Sequence, residues 1–230
     1  MHLLIDLDGT LTDPFPGITT CIQHALVSLD RPRPPAESLR WCIGPPVQKG
    51  FATLLGPNDE HLVDLAVARY RECYGSVGLF ENAVYPGIEG ALAELEKDHT
   101  LGVATSKPTV FAARILEHFG LRKHFHSVDG SELDGARSDK AALIAHILQR
   151  DGIAPGDSIM IGDREHDMIG ARANGVAGLG VLWGYGSHDE LATAGAHDCV
   201  TAPSALPAAI CRLACAAARG RLGRLANHTC

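Results

Sequence analysis

The stretch LLIDLDGT, residues 3–10, decides the fold of this 230-residue chain. Its apolar start is typical of a buried strand, and Asp6 and Asp8 follow at the end of that strand. A carboxylate so close to a core is costly unless it is paired, hydrogen-bonded or bound to a metal ion. The two aspartates can simply form a turn with Gly9 and Thr10, but their position favours a site of chemistry.

The composition is that of a globular protein, with 46% hydrophobic and 20% charged residues. A formal charge of -7 and only 5% aromatic residues argue against a nucleic acid polymer as partner. The sequence has no basic leader, no apolar run of about 20 residues and no C-x-x-C pair among its seven cysteines. We therefore expect a cytoplasmic protein that binds no membrane and attracts an anionic ligand locally, through lysines or a metal ion.

From residue 86 onward, short apolar runs alternate with helical patterns. This alternation is typical of βαβ units, so we expect an α/β fold: a three-layer, Rossmann-like core whose parallel sheet includes the first strand. The predicted strands are 101–105, 125–128, 158–163 and 178–183, and the predicted helices are 108–119, 139–151, 166–173 and 188–195.

Between the first strand and residue 86 the sequence shows helical periodicity, in ITTCIQHALVSL and HLVDLAVARYRECY, separated by the proline-rich RPRPPAE. The flanking stretches DPFPG and VYPG carry proline and glycine, as hinges often do. We predict a helical cap domain at residues 14–85, inserted into a core domain of residues 1–13 and 86–216. Residues 217–230 are expected to form a flexible tail.

Polar residues follow several of the predicted strands, and ligands of open parallel sheets bind outside the carboxyl ends of strands. In SIMIGDREHD, Asp163 ends a strand and Asp167 comes four residues later. If this strand neighbours the first, Asp163 meets Asp6, and the acids form a cluster of oxygen ligands suited to Mg²⁺. The simpler alternative is a pair of acids at a helix N-terminus.

In GVATSKP, Thr105 and Ser106 offer a hydroxyl and backbone N–H groups to phosphate oxygens, or cap the helix that follows. Lys107 is either a charge that steers phosphate or a solvated lysine. In ELDGARSDK, Lys140 stands near the start of a helix, where a cation can neutralise a nucleophilic carboxylate and a bound phosphate.

The ordered set DLDGT, ATSKP, Lys140 in RSDK and MIGDREHD resembles the four motifs of the haloacid dehalogenase (HAD) superfamily. The likeness is to its phosphatases with a helical cap after the first strand, and it extends to about residue 209. ENAVYPGI and WGYGS look like the branch with 5'-nucleotidase-like and phosphoglycolate phosphatase-like proteins. The metal-free dehalogenases of the superfamily lack the second aspartate, so Asp8 argues against dehalogenation.

The resemblance implies roles for these residues. Asp6 would attack phosphorus and become an aspartyl phosphate, while Asp8 would protonate the leaving oxygen and later deprotonate water. The implied catalytic residues are Asp6, Asp8, Thr105 and Lys140; the implied ligands of Mg²⁺ are Asp6, Asp8 through its carbonyl, Asp163 and Asp167; and the substrate-binding residues are Leu7, Asp8, Thr105, Ser106, Lys107, Lys140 and Lys49.

The cap offers Trp41, Lys49, Tyr70 and Arg71 as substrate contacts, although aromatic residues at helical spacing are more often core. We expect a Mg²⁺-dependent hydrolase of a small phosphorylated substrate, a 5'-nucleotide first and 2-phosphoglycolate second, in a monomer or homodimer. Two alternatives remain: phosphotransfer to an acceptor other than water, and a non-catalytic phosphate-binding or scaffold protein on the same fold.

Overall fold

The computed structural model describes the backbone of residues 1–226 and the side chains of residues 1–216. The strands are β1 His2–Ile5, β2 Thr12–Asp13, β3 Ala83–Val84, β4 Thr100–Pro108, β5 Ser127–Ser131, β6 Ser158–Gly162, β7 Ala177–Val181 and β8 Asp198–Val200. The α-helices are α1 Phe15–Val27, α2 Val47–Leu55, α3 Val63–Cys73, α4 Ile88–Leu95, α5 Thr109–His118, α6 Lys140–Asp151, α7 Glu165–Ala173, α8 His188–Ala194 and α9 Leu206–Ala226.

Six of the strands form one parallel sheet in the order β5-β4-β1-β6-β7-β8. Successive side chains of a strand point to opposite faces. Leu3 and Ile5 accordingly pack in the core cluster that contains the buried residues of α4 and α5, while Leu4 packs with α6. Helices therefore cover both faces, which confirms the expected α/β fold with three layers.

The insertion, defined here as residues 14–85, contains α1, α2 and α3. Its two ends pair as the antiparallel strands β2 and β3, with Thr12 opposite Val84. Helices α1 and α3 pack against each other, and α3 continues as a single π-helical turn, Tyr74–Gly78. A Cβ atom on Gly17 would lie 2.0 Å from the carbonyl oxygen of Gly78, so glycine permits this contact of α1 with the turn.

Several elements differ from the sequence-based prediction. The prediction omitted β2, β3 and β8, because strands of two or three residues have no detectable alternation of polar and apolar positions. It also omitted α4, a helix of only eight residues. Helix α9 ends at Ala226, within the expected tail of residues 217–230, and residues 227–230 lie outside the described residues. Among the described residues, no helix combines the length and apolar character needed to cross a membrane.

Candidate active site

The ends of β1 and β6 bring three acidic side chains together. These strands are neighbours with Ile5 opposite Ile161, so Asp6 and Asp163 leave the sheet at the same edge. Asp167 joins them from the first turn of α7. One carboxylate oxygen from each of the three acids lies within 4.8 Å of the others, and all three side chains are buried. The structure thus assembles the acidic cluster expected from the sequence.

Glycines make room for this cluster. Gly9 has a φ of 83°, a left-handed conformation that glycine adopts without strain, and a Cβ atom there would lie 2.1 Å from an oxygen of Asp163. A Cβ atom on Gly162 would lie 2.2 Å from the carboxyl carbon of Asp167. Larger residues at either position would push the acids apart.

Lys140 is the cation next to these acids. Its ammonium nitrogen lies 3.0 Å from Asp6 Oδ1 and 2.7 Å from Asp167 Oδ1, and it donates a hydrogen bond to the carbonyl oxygen of Ala104 at 2.8 Å. Burial acts to lower the pKa of Lys140, but the charges of Asp167 and Asp6 outweigh burial and raise it. The ammonium therefore stays charged and holds Asp6 in place.

The cluster has the properties of a site for a divalent cation. Burial raises the pKa of Asp163, and it raises that of Asp167 to about 6 despite the opposing charge of Lys140. The three acids carry more negative charge than the single ammonium of Lys140 offsets. Closely spaced carboxylate oxygens are the ligands that Mg²⁺ prefers, so these residues fit that ion.

Asp167 also contributes to the helix start. Its second oxygen accepts a hydrogen bond from the backbone N–H of Arg164 at 3.1 Å. The interpretation of Asp167 as a helix N-terminal acid is therefore correct for one oxygen, while the other faces Lys140. One carboxylate serves both purposes.

Asp8 stands apart from the cluster and has a different partner. Lys107 Nζ lies 2.9 Å from Asp8 Oδ2 and also donates a hydrogen bond to the hydroxyl of Tyr74. Burial raises the pKa of Asp8, although the charge of Lys107 opposes the effect. Because Lys107 is buried and ion-paired, its interpretation as a solvated lysine is wrong.

Thr105, Ser106 and Lys107 lie where β4 loses its register with β5, between Ala104 and Pro108. Helix α5 begins after Pro108 without a side-chain cap, so the interpretation of Thr105 and Ser106 as caps is wrong. The Thr105 hydroxyl instead accepts a hydrogen bond from the backbone N–H of Lys107 at 3.3 Å.

A cavity between the insertion and the sheet edge connects these groups. Its polar floor includes Asp6, Asp8 and the Thr105 to Lys107 segment. Its walls are mostly apolar and aromatic; among the lining residues are Val47, Phe51, Leu54, Tyr70, Tyr74 and Phe111. Arg71 also lines the cavity, and its Nε atom is buried with no hydrogen-bond partner. Two of the four suggested cap contacts, Tyr70 and Arg71, thus face the cavity.

Three residues with expected roles lie elsewhere. Lys49 is exposed and is not among the described lining residues, although its neighbours Gln48 and Gly50 are. Trp41 is exposed as well and is not among the described lining residues. The Leu7 side chain is fully buried in the core, so only its backbone can reach a substrate.

The sequence analysis missed other residues of the site. Tyr185 donates a backbone hydrogen bond to Asp163 Oδ2 at 2.8 Å, and a Cβ atom on Gly184 would lie 2.4 Å from the same oxygen. Both residues belong to the stretch WGYGS, which contributed to the family resemblance but was given no role in the site. Tyr74 and Phe111 had no signal beyond helical spacing, which is shared with core residues.

The chain is similar to known proteins in sequence and in fold. The family described as haloacid dehalogenase-like hydrolase matches residues 3–181. A 5'-nucleotidase of Pseudomonas aeruginosa is 49% identical over 191 residues, 83% of this chain and 86% of that protein. Phosphoglycolate phosphatase 1 of the same species is 31% identical over 192 residues, 80% and 70% of the two chains.

Two further comparisons concern a structure and a kinase. The crystal structure of a predicted phosphatase from Clostridium acetobutylicum superposes with a TM-score of 0.88 at 42% identity, covering 92% of this chain and 98% of that one. The tyrosine-protein kinase PtkA of Mycobacterium tuberculosis is 38% identical over 189 residues, 81% of this chain but 64% of the kinase. With the four motifs at one edge of the sheet, the chain belongs to the haloacid dehalogenase-like hydrolases and is a phosphatase of that superfamily.

Proposed function

We propose that this phosphatase is a Mg²⁺-dependent phosphomonoester hydrolase that forms an aspartyl phosphate on Asp6 and acts on 5'-nucleotides. The observation that carries the proposal is the arrangement at the cavity floor. Asp6 is held by Lys140 beside an acidic cluster, and Asp8, with a separate partner, lines the same cavity. Two carboxylates in different surroundings can perform different chemical steps.

Asp6, Asp163 and the carbonyl of Asp8 would hold Mg²⁺, with Asp167 close behind. The bound ion supplies positive charge that offsets the negative charge of the phosphoryl group and of the acids around it. This role agrees with the three buried carboxylates that lie together beside a single lysine.

The residues divide the reaction into two steps. A carboxylate oxygen of Asp6 bonds to phosphorus while the bond from phosphorus to the leaving oxygen breaks, and Asp8 gives that oxygen its proton. Water then attacks the aspartyl phosphate, Asp8 takes the proton of the water, and inorganic phosphate leaves with Asp6 restored. Thr105 and Ser106 hold phosphoryl oxygens, so most of the catalysis is positioning and charge neutralisation.

The cavity walls support a nucleotide as substrate. Phe51, Tyr70 and Phe111 give the cavity an aromatic lining against which a nucleobase can pack. The relative named as a 5'-nucleotidase, 49% identical, supports the same substrate class.

One observation favours 2-phosphoglycolate instead. A buried guanidinium nitrogen without a partner is costly, and a carboxylate on the substrate would satisfy Arg71. Phosphate release from 5'-nucleotides and from 2-phosphoglycolate, ranked by kcat/KM with Mg²⁺ present, decides between them. An Arg71→Met variant should lose turnover of 2-phosphoglycolate most if that is the substrate.

The mechanism is tested with Asp6→Asn. We expect this variant to lose phosphatase activity and the wild type to lose it in EDTA, while Asp64→Asn, at an exposed position of α3, retains it. Wild-type turnover by Asp6→Asn, or activity unaffected by EDTA, would contradict the mechanism. Release of phosphate into water without an added acceptor distinguishes hydrolysis from phosphotransfer.

The cysteines described as free thiols are consistent with a cytoplasmic location.

A further inference from the structure

Tyr74 is a residue of the insertion that contacts Lys107, the ion-pair partner of Asp8. It is the first residue of the π-turn that follows α3, and it is 1% exposed. Its ring stacks on Tyr70 with 5.2 Å between centroids and meets the edge of Phe111 at 5.7 Å. Single π-turns are frequent at functional sites, and this one directs a hydroxyl towards the sheet edge.

The partner of that hydroxyl is Lys107. The Lys107 ammonium donates a hydrogen bond to the Tyr74 hydroxyl and forms an ion pair of 2.9 Å with Asp8. Lysine has a flexible stem, so its ammonium occupies one position only where its surroundings hold it. One of the two contacts that hold it here comes from Tyr74.

We propose that Tyr74 is a positioning residue: its hydroxyl holds the Lys107 ammonium against Asp8 Oδ2, which leaves Asp8 Oδ1 directed at the substrate. Asp8 Oδ1 is buried with no hydrogen-bond partner, as a group that awaits the leaving oxygen would be. The insertion thereby orients the carboxylate that transfers protons. This inference rests on the proposed function, because it assigns that transfer to Asp8.

The alternative is that Tyr74 only fills the core, and Tyr74→Phe separates the two roles. Phenylalanine keeps the stacking on Tyr70 and the edge contact with Phe111, but it removes the oxygen that accepts the hydrogen bond from Lys107. A loss of packing would affect all substrates alike. A misplaced Asp8 would lower the turnover of one class of substrate more than that of the others, namely substrates whose leaving group needs a proton.

The experiment compares two substrates. A nucleoside leaving from its 5' oxygen needs a proton, whereas p-nitrophenolate is stable without one. For Tyr74→Phe we expect kcat for the 5'-nucleotide to fall about 10- to 100-fold with little change in KM, which is part of the roughly 100- to 10,000-fold that general acid catalysis contributes. The kcat for p-nitrophenyl phosphate should fall less than about threefold. Tyr85→Phe, which removes a hydroxyl that contacts Tyr185, should leave the ratio of the two rates unchanged.

The outcomes are distinct. Equal losses on both substrates, a change in KM alone, or no change would overturn the role of Tyr74 while leaving the proposed function in place. A wild type that hydrolyses neither substrate would overturn both. If Tyr74→Phe does not fold, Lys107→Met provides the same comparison: a selective loss on the nucleotide supports the role, and equal losses refute it.

Discussion

Replacing Lys140 with methionine should destabilise the protein because Lys140 separates two buried carboxylates. The variant keeps an apolar side chain of similar length but removes ion pairs of 3.0 Å to Asp6 and 2.7 Å to Asp167. Removing one partner of a buried pair typically costs about 3–5 kcal/mol, since it leaves an uncompensated charge. We therefore expect the free energy of unfolding, measured without metal, to fall by about 3 kcal/mol or more near pH 8.

The loss should be smaller at lower pH. The pKa of Asp167 in the folded protein is about 6, above its ordinary value of 3.8, so the folded state takes up a proton that the unfolded state releases. A carboxyl group with a raised pKa stabilises the folded state at low pH, and this contribution is lost as the pH rises through the folded pKa. Without Lys140 that pKa rises further, so the difference between variant and wild type should grow from pH 6 to pH 8.

Urea unfolding in EDTA measures this difference. Trp183 is a suitable fluorescent reporter because its indole N–H donates to the backbone carbonyl of Thr10 beside the site. The matched control is Lys123→Met, whose ion pair with Glu89 is exposed at 63% and 67%. It should lose less than about 1 kcal/mol. If Lys140→Met loses no more than this control, or if its loss does not grow with pH, the electrostatic account of the cluster is wrong.

Three other changes have defined outcomes. Gly9→Ala should abolish phosphatase activity, because the new Cβ atom would lie 2.1 Å from an oxygen of Asp163; an active, folded variant would contradict this. Mg²⁺ should raise the melting temperature more at pH 8 than at pH 5, because it binds ionised carboxylates and burial raises the pKa of Asp163 and Asp167. If calorimetry finds the same rise in melting temperature at both pH values, the proposed Mg²⁺ site is wrong. Oxidised glutathione should form a disulfide bond between Cys21 and Cys73, whose sulfur atoms are 2.6 Å apart. Because 52 positions separate the two cysteines, this bond should raise the free energy of unfolding by no more than about 4 kcal/mol. Mass spectrometry that finds both thiols intact would refute their proximity.

The sequence best predicted the site residues that directly follow strands of the parallel sheet. Asp6 and Asp163 each follow an apolar run, and parallel strands deliver their carboxyl ends to one edge of the sheet, so their meeting was predictable. Lys140 was predictable for a related reason, since a buried acidic cluster needs a nearby cation. The short strands β2 and β3 were not predictable, because two residues cannot show periodicity.

The cavity walls were harder to predict. Lys49 and Arg71 are both basic residues in helical stretches, yet Lys49 is exposed and outside the described cavity lining, whereas Arg71 belongs to that lining. Helical periodicity predicts which residues share a face, but it does not show which face meets the sheet edge. That choice depends on how α1, α2 and α3 pack against one another and against the core.

By itself, the sequence determined the α/β class, the family and the set of residues at the strand ends, because these follow from local patterns and from a rule that holds for all parallel sheets. Tertiary structure alone decided the partners of those residues. Lys107 pairs with Asp8 and Tyr74 because a turn after α3 packs onto the end of β4, and the contact joins residues 33 positions apart. Contacts at such separations depend on packing in three dimensions, which no spacing in the sequence records.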